Sequence, residues 1–315
     1  MSSSSILERG SGAGAAAPAP DRRASRRRRV PEQLWGLLYM LPALLLILAF
    51  LGYPLVSVAY HAFTRWDGLS PAQWVGFHNF SVLVDDPILR TALRNNLLFA
   101  ISVPIQLVVP LGLAFLIHER IAGWRFFRFA FFLPAVFSTV IVGILASFVL
   151  QLNGPLNEAL GTLGLHSLEH NWLASSGTSI PMIILVVVWA NFGYNVLIYL
   201  GGMSTIDPSL AEAARMDGAK SWQVLRHVYV PNLRRVMELV LVINTVTAFA
   251  YMFAYIYTIT NGGPGFETYT SEFYIYSQAF TEQNLGYASA IGLVLTIILA
   301  SIGYFQIRAL TKAGS

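Results

Sequence analysis

Residues 179–202 have the sequence SIPMIILVVVWANFGYNVLIYLGG, which contains no Asp, Glu, Lys or Arg. At 1.5 Å per residue, about 20 helical residues cross the ~30 Å hydrocarbon core of a bilayer. A helix satisfies its own backbone hydrogen bonds there, whereas one charge at its centre costs about 2.5–3.5 kcal/mol. This stretch therefore predicts a transmembrane helix, and the charge-free interval around it extends from 170 to 206.

The same pattern recurs along the chain. The other long charge-free intervals are 33–64, 95–118, 129–157, 239–266 and 283–307. Together they predict six transmembrane helices at about 38–62, 96–117, 127–150, 179–202, 236–260 and 286–308. The runs lack the period-two alternation of a transmembrane β-barrel, and core helices of a soluble protein usually show a polar face within 10–14 residues. We predict an all-α polytopic membrane protein.

The composition supports this fold class. Charged residues make up 11% of the 315 residues and hydrophobic residues 55%, with a mean hydropathy of +0.58. A soluble domain carries about 25% charged residues, so the composition excludes a cytosolic enzyme. There is no Cys, so a disulfide framework is excluded as well.

The positive charges predict the orientation. With the N-terminus inside, 17 Lys and Arg lie on the cytoplasmic side and three lie outside, namely Arg65, Arg90 and Arg94. The positive-inside rule therefore places both termini in the cytoplasm. Residues 1–31 are predicted to form a disordered basic tail that is attracted to anionic lipid rather than to nucleic acid, and 32–315 the membrane domain.

The fourth connection, about 204–235, is long and cytoplasmic in this topology. Asp207 and Pro208 suit the start of a helix, and Gly218 can take the left-handed conformation that ends one. Ser221 is expected to cap a second short helix that stops before Pro231. This hairpin is either an interfacial amphipathic segment or a docking surface for another protein. Its second helix has an apolar stripe at i, i+3 and i+7: Trp222, Leu225 and Tyr229.

The connection also carries a motif. Glu212-Ala213-Ala214, Gly218 four residues later, and Val228-Tyr229-Val230-Pro231 resemble the EAA motif of ABC-importer permease subunits. Val stands at 228 and 230 where the family has Ile and Leu, which keeps the positions apolar. The extended form from Ile206 to Ala219 is similar to the carbohydrate-uptake group.

Two more stretches carry the same resemblance. Residues 75–80, VGFHNF, are similar to the segment after the first helix of that group. Thr260–Pro264, Tyr276–Phe280 and Gly286–Ala290 resemble the last outer loop and helix of its maltose/glycerol-3-phosphate-type first permease. The resemblance covers about 33–310.

The resemblance implies a passive translocation subunit in a bacterial or archaeal plasma membrane, importing a sugar or oligosaccharide. Glycerol-3-phosphate or another polyol is the alternative solute. It implies a second homologous permease, two copies of an ABC ATPase that bind ATP and Mg²⁺, and an extracytoplasmic solute-binding protein; this chain itself is expected to hold no cofactor. Gly218-Ala219-Lys220-Ser221 lacks the Gly directly before Lys that a P-loop needs. The residues implied in coupling to the ATPase are Glu212, Ala213, Ala214, Asp217 and Gly218.

Polar residues inside the membrane predict the solute path, because they are costly unless they face the bundle interior or water. The fourth predicted helix carries Asn191, Tyr194 and Asn195. The fifth carries Asn244, Thr247, Tyr251 and Tyr255 at spacings of one helical face. Amides and phenols suit sugar hydroxyls, and aromatic rings suit the C–H faces of sugars. Interhelical polar packing is the alternative, with solute contact favoured for Asn244 and Tyr251.

Two other function classes can be tested against the sequence. His166-Ser-Leu-Glu169-His170 matches the H-x-x-E-H zinc pattern of some metalloproteases, but it lies in a short loop without an obvious third ligand. A secondary transporter is disfavoured, because the intramembrane carboxylates of ion coupling are missing. Glu238 is the nearest case and is expected to pair with Arg234 or Arg235.

Overall fold

The computed structural model describes residues 32–120 and 123–312. The predicted basic tail therefore lies outside the described residues. Contacts divide the chain into two units, Met1–Pro54 and Leu55–Ser315. In the first unit, helix α1 spans Glu32–Ile47 and is followed by a π-helical segment, Leu48–Gly52.

The described chain is helical and rich in apolar spans. Five helical stretches are long and apolar enough to cross a membrane: Tyr39–His61, Pro87–His118, Thr139–Thr162, Gly177–Met203 and Leu285–Arg308. A bent pair of helices, Arg234–Ala250 and Phe253–Ile259, makes a sixth if it counts as one span. The predicted fold class is thus confirmed.

The first span ends with α2 (Tyr53–His61), and the second span consists of α4 (Pro87–Ala100) and α5 (Ser102–His118). Between them lie β1 (Thr64–Arg65), β2 (Gln73–Trp74) and α3 (His78–Asp85). The two strands pair antiparallel, with Thr64 opposite Trp74. The side chain of Asp86 caps α4, and Pro87 occupies its first turn, where a missing N–H costs nothing.

The prediction of one continuous third helix over 127–150 is wrong. The structure has α6 at Trp124–Val136 and α7 at Thr139–Leu150, separated by extended backbone at Phe137 and Ser138. Pro134 lies in the last turn of α6 and Ser138 caps α7, accepting a hydrogen bond from the Ile141 N–H at 3.4 Å. The cap satisfies backbone donors that the break exposes, so the chain can turn here.

The remaining elements follow in order. They are α8 (Pro155–Thr162), a 3₁₀ turn (His166–Leu168), α9 (Ser176–Met203), α10 (Pro208–Met216), α11 (Ser221–Val224), a π-helical segment (Leu225–Tyr229), α12 (Val230–Asn232), α13 (Arg234–Ala250), α14 (Phe253–Ile259), α15 (Ser271–Tyr276), a further π-helical segment (Ser277–Thr281) and α16 (Leu285–Lys312).

The predicted fifth helix, 236–260, is broken in the structure: α13 and α14 meet at an angle of 49°.

Two apolar clusters form the core of the second unit. One lies between α4, α7, α9 and α14–α16 and includes Phe99, Ile183, Met252 and Ile291, each at most 1% exposed. The other lies between α5, α9 and the α10–α13 segment and includes Val196, Tyr199 and Leu233. The long helix α9 contributes to both clusters and so runs the length of the core.

Helices α7 and α14 touch through Gly143. A Cβ atom placed there would lie 1.8 Å from Thr258 Oγ1 and 3.7 Å from the Ala254 carbonyl oxygen. Only a residue without a side chain permits this approach, which fixes α14 against α7.

We expect Gly143→Ala to push α14 away and to destabilise the protein by about 1–3 kcal/mol, the usual cost of overpacking. Gly112→Ala is the matched control, since a Cβ at Gly112 meets nothing within 4 Å. Thermal unfolding in detergent measures both. Equal unfolding temperatures for the two variants would contradict the close approach.

Asp86 joins three helices. Its Oδ1 accepts from the backbone N–H groups of Ile88 and Leu89, at 2.8 and 3.1 Å. Its Oδ2 accepts from the hydroxyls of Tyr274 on α15 and Tyr287 on α16, at 2.6 and 2.5 Å. Burial opposes ionisation of this carboxyl, but these hydrogen bonds outweigh it and hold its pKa below the ordinary value.

A lowered pKa adds stability above the ordinary pKa of the unfolded chain, and this stability is lost as the pH falls through the folded value. Asp86→Asn should therefore unfold at a lower temperature than the unsubstituted protein at neutral pH, and the difference should shrink below about pH 4. Asp85→Asn, at the exposed neighbour, is the control. A difference independent of pH would refute the role of the charge.

Candidate solute path and coupling surface

The break between α13 and α14 shapes a cavity. Tyr251, with φ −134° and ψ 21°, ends α13, and Met252 precedes the first residue of α14. The cavity beside the break, called here the break cavity, has a volume of about 370 Å³. Its lining residues are Thr139, Asn191, Thr247, Ala250, Tyr251, Phe253, Ala254 and Tyr255.

A smaller cavity of about 140 Å³ adjoins the break cavity and shares Thr139, Asn191 and Tyr255 with it. Tyr194 lines this second cavity. Tyr194 and Tyr251 are 55% and 67% exposed in this chain, whereas Tyr255 is 5% exposed. Five of the seven residues predicted for the solute path thus line one or both of these two cavities.

The lining combines hydroxyl and amide groups with aromatic faces. Phenols, threonine hydroxyls and an asparagine amide can donate and accept hydrogen bonds, and the rings offer apolar faces. Among the described residues, the linings of both cavities contain no Asp, Glu, Lys, Arg or His. The site therefore suits a neutral, hydroxyl-rich molecule better than an anion.

Asn195 and Asn244 are placed differently from the other predicted residues. They form a reciprocal amide pair between α9 and α13, with Asn195 Nδ2 3.3 Å from Asn244 Oδ1 and Asn244 Nδ2 3.2 Å from Asn195 Oδ1. They are 1% and 3% exposed, and neither lines the two cavities. This geometry matches the alternative of interhelical packing.

Sequence reasoning missed part of the lining. Thr139, Phe253 and Ala254 line the break cavity and were not predicted for the path. Thr139 is the first residue of α7, so the helix start at Ser138 was the available signal. Phe253 and Ala254 reach the cavity because of the bend, for which the local sequence gives no Pro or Gly signal.

The fourth connection forms the predicted pair of short helices. Asp207 Oδ1 accepts from the Ser209 N–H at 2.9 Å and caps α10. Gly218 has φ +84° and ends α10 as predicted. Two details were wrong: Lys220, not Ser221, is the cap residue of α11, and the helical path continues through Pro231. Pro231 directly follows the π-helical segment Leu225–Tyr229, where the regular α-helical hydrogen bonds that a proline would interrupt are already displaced.

The loop is fastened to the rest of the second unit. Arg215 on α10 donates to Glu119, after α5, at 2.5 Å. Tyr229 packs edge-on against Phe115, with ring centroids 5.4 Å apart. Leu225 and Tyr229 are buried, but Trp222 is 65% exposed, so the predicted stripe is not a single buried face.

The motif residues lie on the outer side of this loop. Glu212, Ala213, Asp217 and Gly218 are exposed, and Ala214 is half-buried. A Cβ at Gly218 would meet nothing within 4 Å. The loop is thus packed against the rest of the second unit through Leu225 and Tyr229, while most of its motif residues are exposed.

The remaining predictions concern charged and metal-binding residues. Glu238 Oε1 accepts from Arg234 at 3.2 Å, which confirms the predicted pair. The zinc pattern does not form a helical pair: His166 lies in a 3₁₀ turn, and its Nδ1 is 2.7 Å from Glu169 Oε1. Within 32–120 and 123–312 there is no group of three or more His, Asp or Glu placed to hold a metal.

The fold defines a multi-span helical membrane protein with a short-helical loop on which most of the motif residues are exposed. The chain belongs to the family of binding-protein-dependent transport system inner membrane components, whose model matches residues 80–313. It is a transporter permease subunit, not an enzyme.

Individual proteins that are similar to this chain support its membership of the family. The chain is 34% identical over 276 residues to the probable ABC transporter permease protein YurN of Bacillus subtilis, covering 86% of this chain and 94% of that protein. It is 30% identical over 291 residues to the multiple sugar-binding transport system permease protein MsmF of Streptococcus mutans, covering 90% and 98%. The crystal structure of a bacterial ABC transporter for import of the acidic polysaccharide alginate matches with a TM-score of 0.78 and 25% identity, covering 89% of this chain and 96% of that one.

Proposed function

We propose that this permease forms half of the translocation path for a neutral sugar or oligosaccharide in an ATP-driven importer. A second, similar permease completes the path, two ATPase subunits supply the energy, and an extracytoplasmic binding protein delivers the solute. The chain lies in a bacterial or archaeal plasma membrane with both termini in the cytoplasm, as the excess of Lys and Arg on that side favours.

The observation that carries this proposal is the uncharged, aromatic lining of the break cavity. Sugar hydroxyls find partners in Asn191, Thr247 and the phenol of Tyr251, and the sugar C–H faces find partners in the tyrosine rings. The name of the sugar-binding relative supports the same solute class. Glycerol-3-phosphate is less favoured, since the lining offers no cation for a phosphate.

The loop α10–α12 provides the coupling contact in this proposal. Its exposed motif residues dock on the ATPase, while Arg215 and Tyr229 connect it to Glu119 and Phe115 at the end of α5. A push on α10 then reaches a membrane-spanning helix through packed contacts, as coupled rigid-body transport requires. No energy source within this chain is needed.

Changing Gly218 should uncouple the importer. Gly218→Val forces a β-branched residue into a left-handed turn, so α10 and α11 can no longer meet in the same way. ATP-dependent uptake of labelled oligosaccharide by reconstituted complexes should fall to about a tenth or less, with normal membrane insertion.

The control for this change is Gly218→Asn, since Asn tolerates the left-handed conformation and the site has open space. It should keep most of the uptake. Full uptake by the Val variant would count against the coupling role of the turn.

Substitutions in the lining of the break cavity should change the KM for solute uptake. Tyr251→Leu and Tyr255→Leu remove phenol hydroxyls and ring faces, so the KM for uptake of a transported neutral oligosaccharide should rise by about tenfold. ATP binding by the complex should not change. Tyr304→Leu, at an exposed tyrosine on α16, is the control. Unchanged uptake kinetics in both cavity variants would remove the cavity from the proposed path.

A further inference from the structure

The break between α13 and α14 interrupts the helical hydrogen bonds, and side chains from other helices bind two of the backbone groups that it frees. In a continuous α-helix, the Met252 N–H would donate to the Ala248 carbonyl oxygen four residues earlier. Here the Met252 N–H donates to Glu272 Oε1 at 3.1 Å. The Ala248 oxygen accepts instead from Asn96 Nδ2 at 3.0 Å. Two side chains, one on α4 and one on α15, thus replace one backbone hydrogen bond.

Asn96 is fully buried, and both ends of its amide are used. While Nδ2 donates to Ala248, Oδ1 accepts from the Ser271 N–H at 2.9 Å and from the Ser271 hydroxyl at 2.6 Å. One side chain therefore joins the end of α13 to the start of α15. Ser271 begins α15, the helix that carries Glu272. The side chains of Asn96 and Glu272 are therefore held together.

The neighbouring Asn95 strengthens this arrangement. Its Nδ2 donates to the carbonyl oxygens of Glu267 and Tyr269, at 2.7 and 2.9 Å. The loop before α15 is thereby fixed to α4. The segment that carries Glu272 is consequently held in place by hydrogen bonds from both Asn95 and Asn96.

The energetic reason for such substitutes is the apolar surroundings. A buried N–H or C=O without a partner costs a large part of its desolvation free energy, and no bulk water is available inside a bilayer. A bend without Pro or Gly survives only where other groups satisfy the freed backbone. The sequence around 251–252 contains neither residue at the break.

We propose that Asn96 and Glu272 are positioning residues that hold the fifth span broken and thereby place Tyr251 and Tyr255 on the wall of the break cavity. The inference rests on the proposed solute path for its meaning in transport. The replacement of the Met252–Ala248 backbone hydrogen bond by bonds to Glu272 and Asn96 does not depend on that path. Without the two side chains, Met252 and Ala248 pair with each other, the span straightens, and Tyr251 turns away from the cavity.

Because this chain contains no Cys, an introduced cysteine is its only thiol, and labelling is read on this chain after the subunits of the complex are separated. Tyr251→Cys is labelled with a water-soluble thiol reagent in the assembled complex, alone and combined with Glu272→Leu or with Asn96→Ala. Each second change should slow labelling by about tenfold, since each removes a partner of one buried backbone group. An unchanged labelling rate in both combinations would overturn the proposal.

Two controls distinguish an effect on the helix break from general unfolding of the variant protein. Burial raises the pKa of the Glu272 carboxyl, so the neutral, isosteric Gln is a close substitute that keeps the acceptor for Met252. Glu272→Gln should restore labelling to nearly the original rate, and slow labelling in this variant would count against the hydrogen bond. Leu163→Cys, after α8 and 73% exposed, should label at the same rate in every background, showing that the fold is intact.

Uptake distinguishes this inference from the proposed function. With Tyr251 in place, Glu272→Leu should raise the KM for the transported oligosaccharide while ATP hydrolysis stimulated by the binding protein persists, and Glu272→Gln should rescue it. Slower labelling together with unchanged KM would leave the positioning role standing and overturn the solute path. Unchanged labelling together with the expected rise in KM for Tyr251→Leu would overturn the positioning role and leave the solute path standing.

Discussion

Inside a bilayer, every backbone N–H and C=O must find a partner within the protein, and this requirement organises the whole chain. It explains why the described residues are arranged in long helices. It also explains why the bent span formed by α13 and α14 is accompanied by buried side chains from remote segments, Asn96 and Glu272. The polar cavity lies at the same place, because breaking a helix frees the space that aromatic and amide side chains then line.

The loop α10–α12, which is cytosolic in the proposed topology, depends on different interactions. It consists of short helices joined by a left-handed glycine turn, and in the proposed topology water can bind the backbone groups at the helix ends. Its stiffness comes instead from contacts at its base, where Arg215 meets Glu119 and Tyr229 packs on Phe115. A projection that is firm at its base and exposed at its motif surface can transmit displacement to α5 in the proposed assembly.

The sequence was sufficient where a property is local. Missing charges located the spans, Gly218 and Asp207 located the loop turn and cap, and i, i+4 spacing allowed the pair of Glu238 with Arg234. It was insufficient where the decisive partner is remote. Nothing near Tyr251 indicates a bend, because the bend depends on Asn96 and Glu272. The break at Phe137 was hidden because transmembrane helices tolerate proline, so Pro134 did not require an end.

The same reason explains the outcome for the predicted polar face. Asn244 has the spacing to join Thr247, Tyr251 and Tyr255, but its amide pairs with Asn195 across the bundle. Helical spacing gives the direction of a side chain and not its partner, so solute contact and interhelical packing could not be separated from sequence.

The most direct measurement is to cross-link a transported oligosaccharide that carries a photoreactive diazirine in the assembled importer and to map the attached peptides by mass spectrometry. The account predicts attachment to peptides containing Asn191, Tyr251 or Tyr255. Attachment confined to other parts of the chain, with the break cavity unlabelled during active uptake, would contradict it.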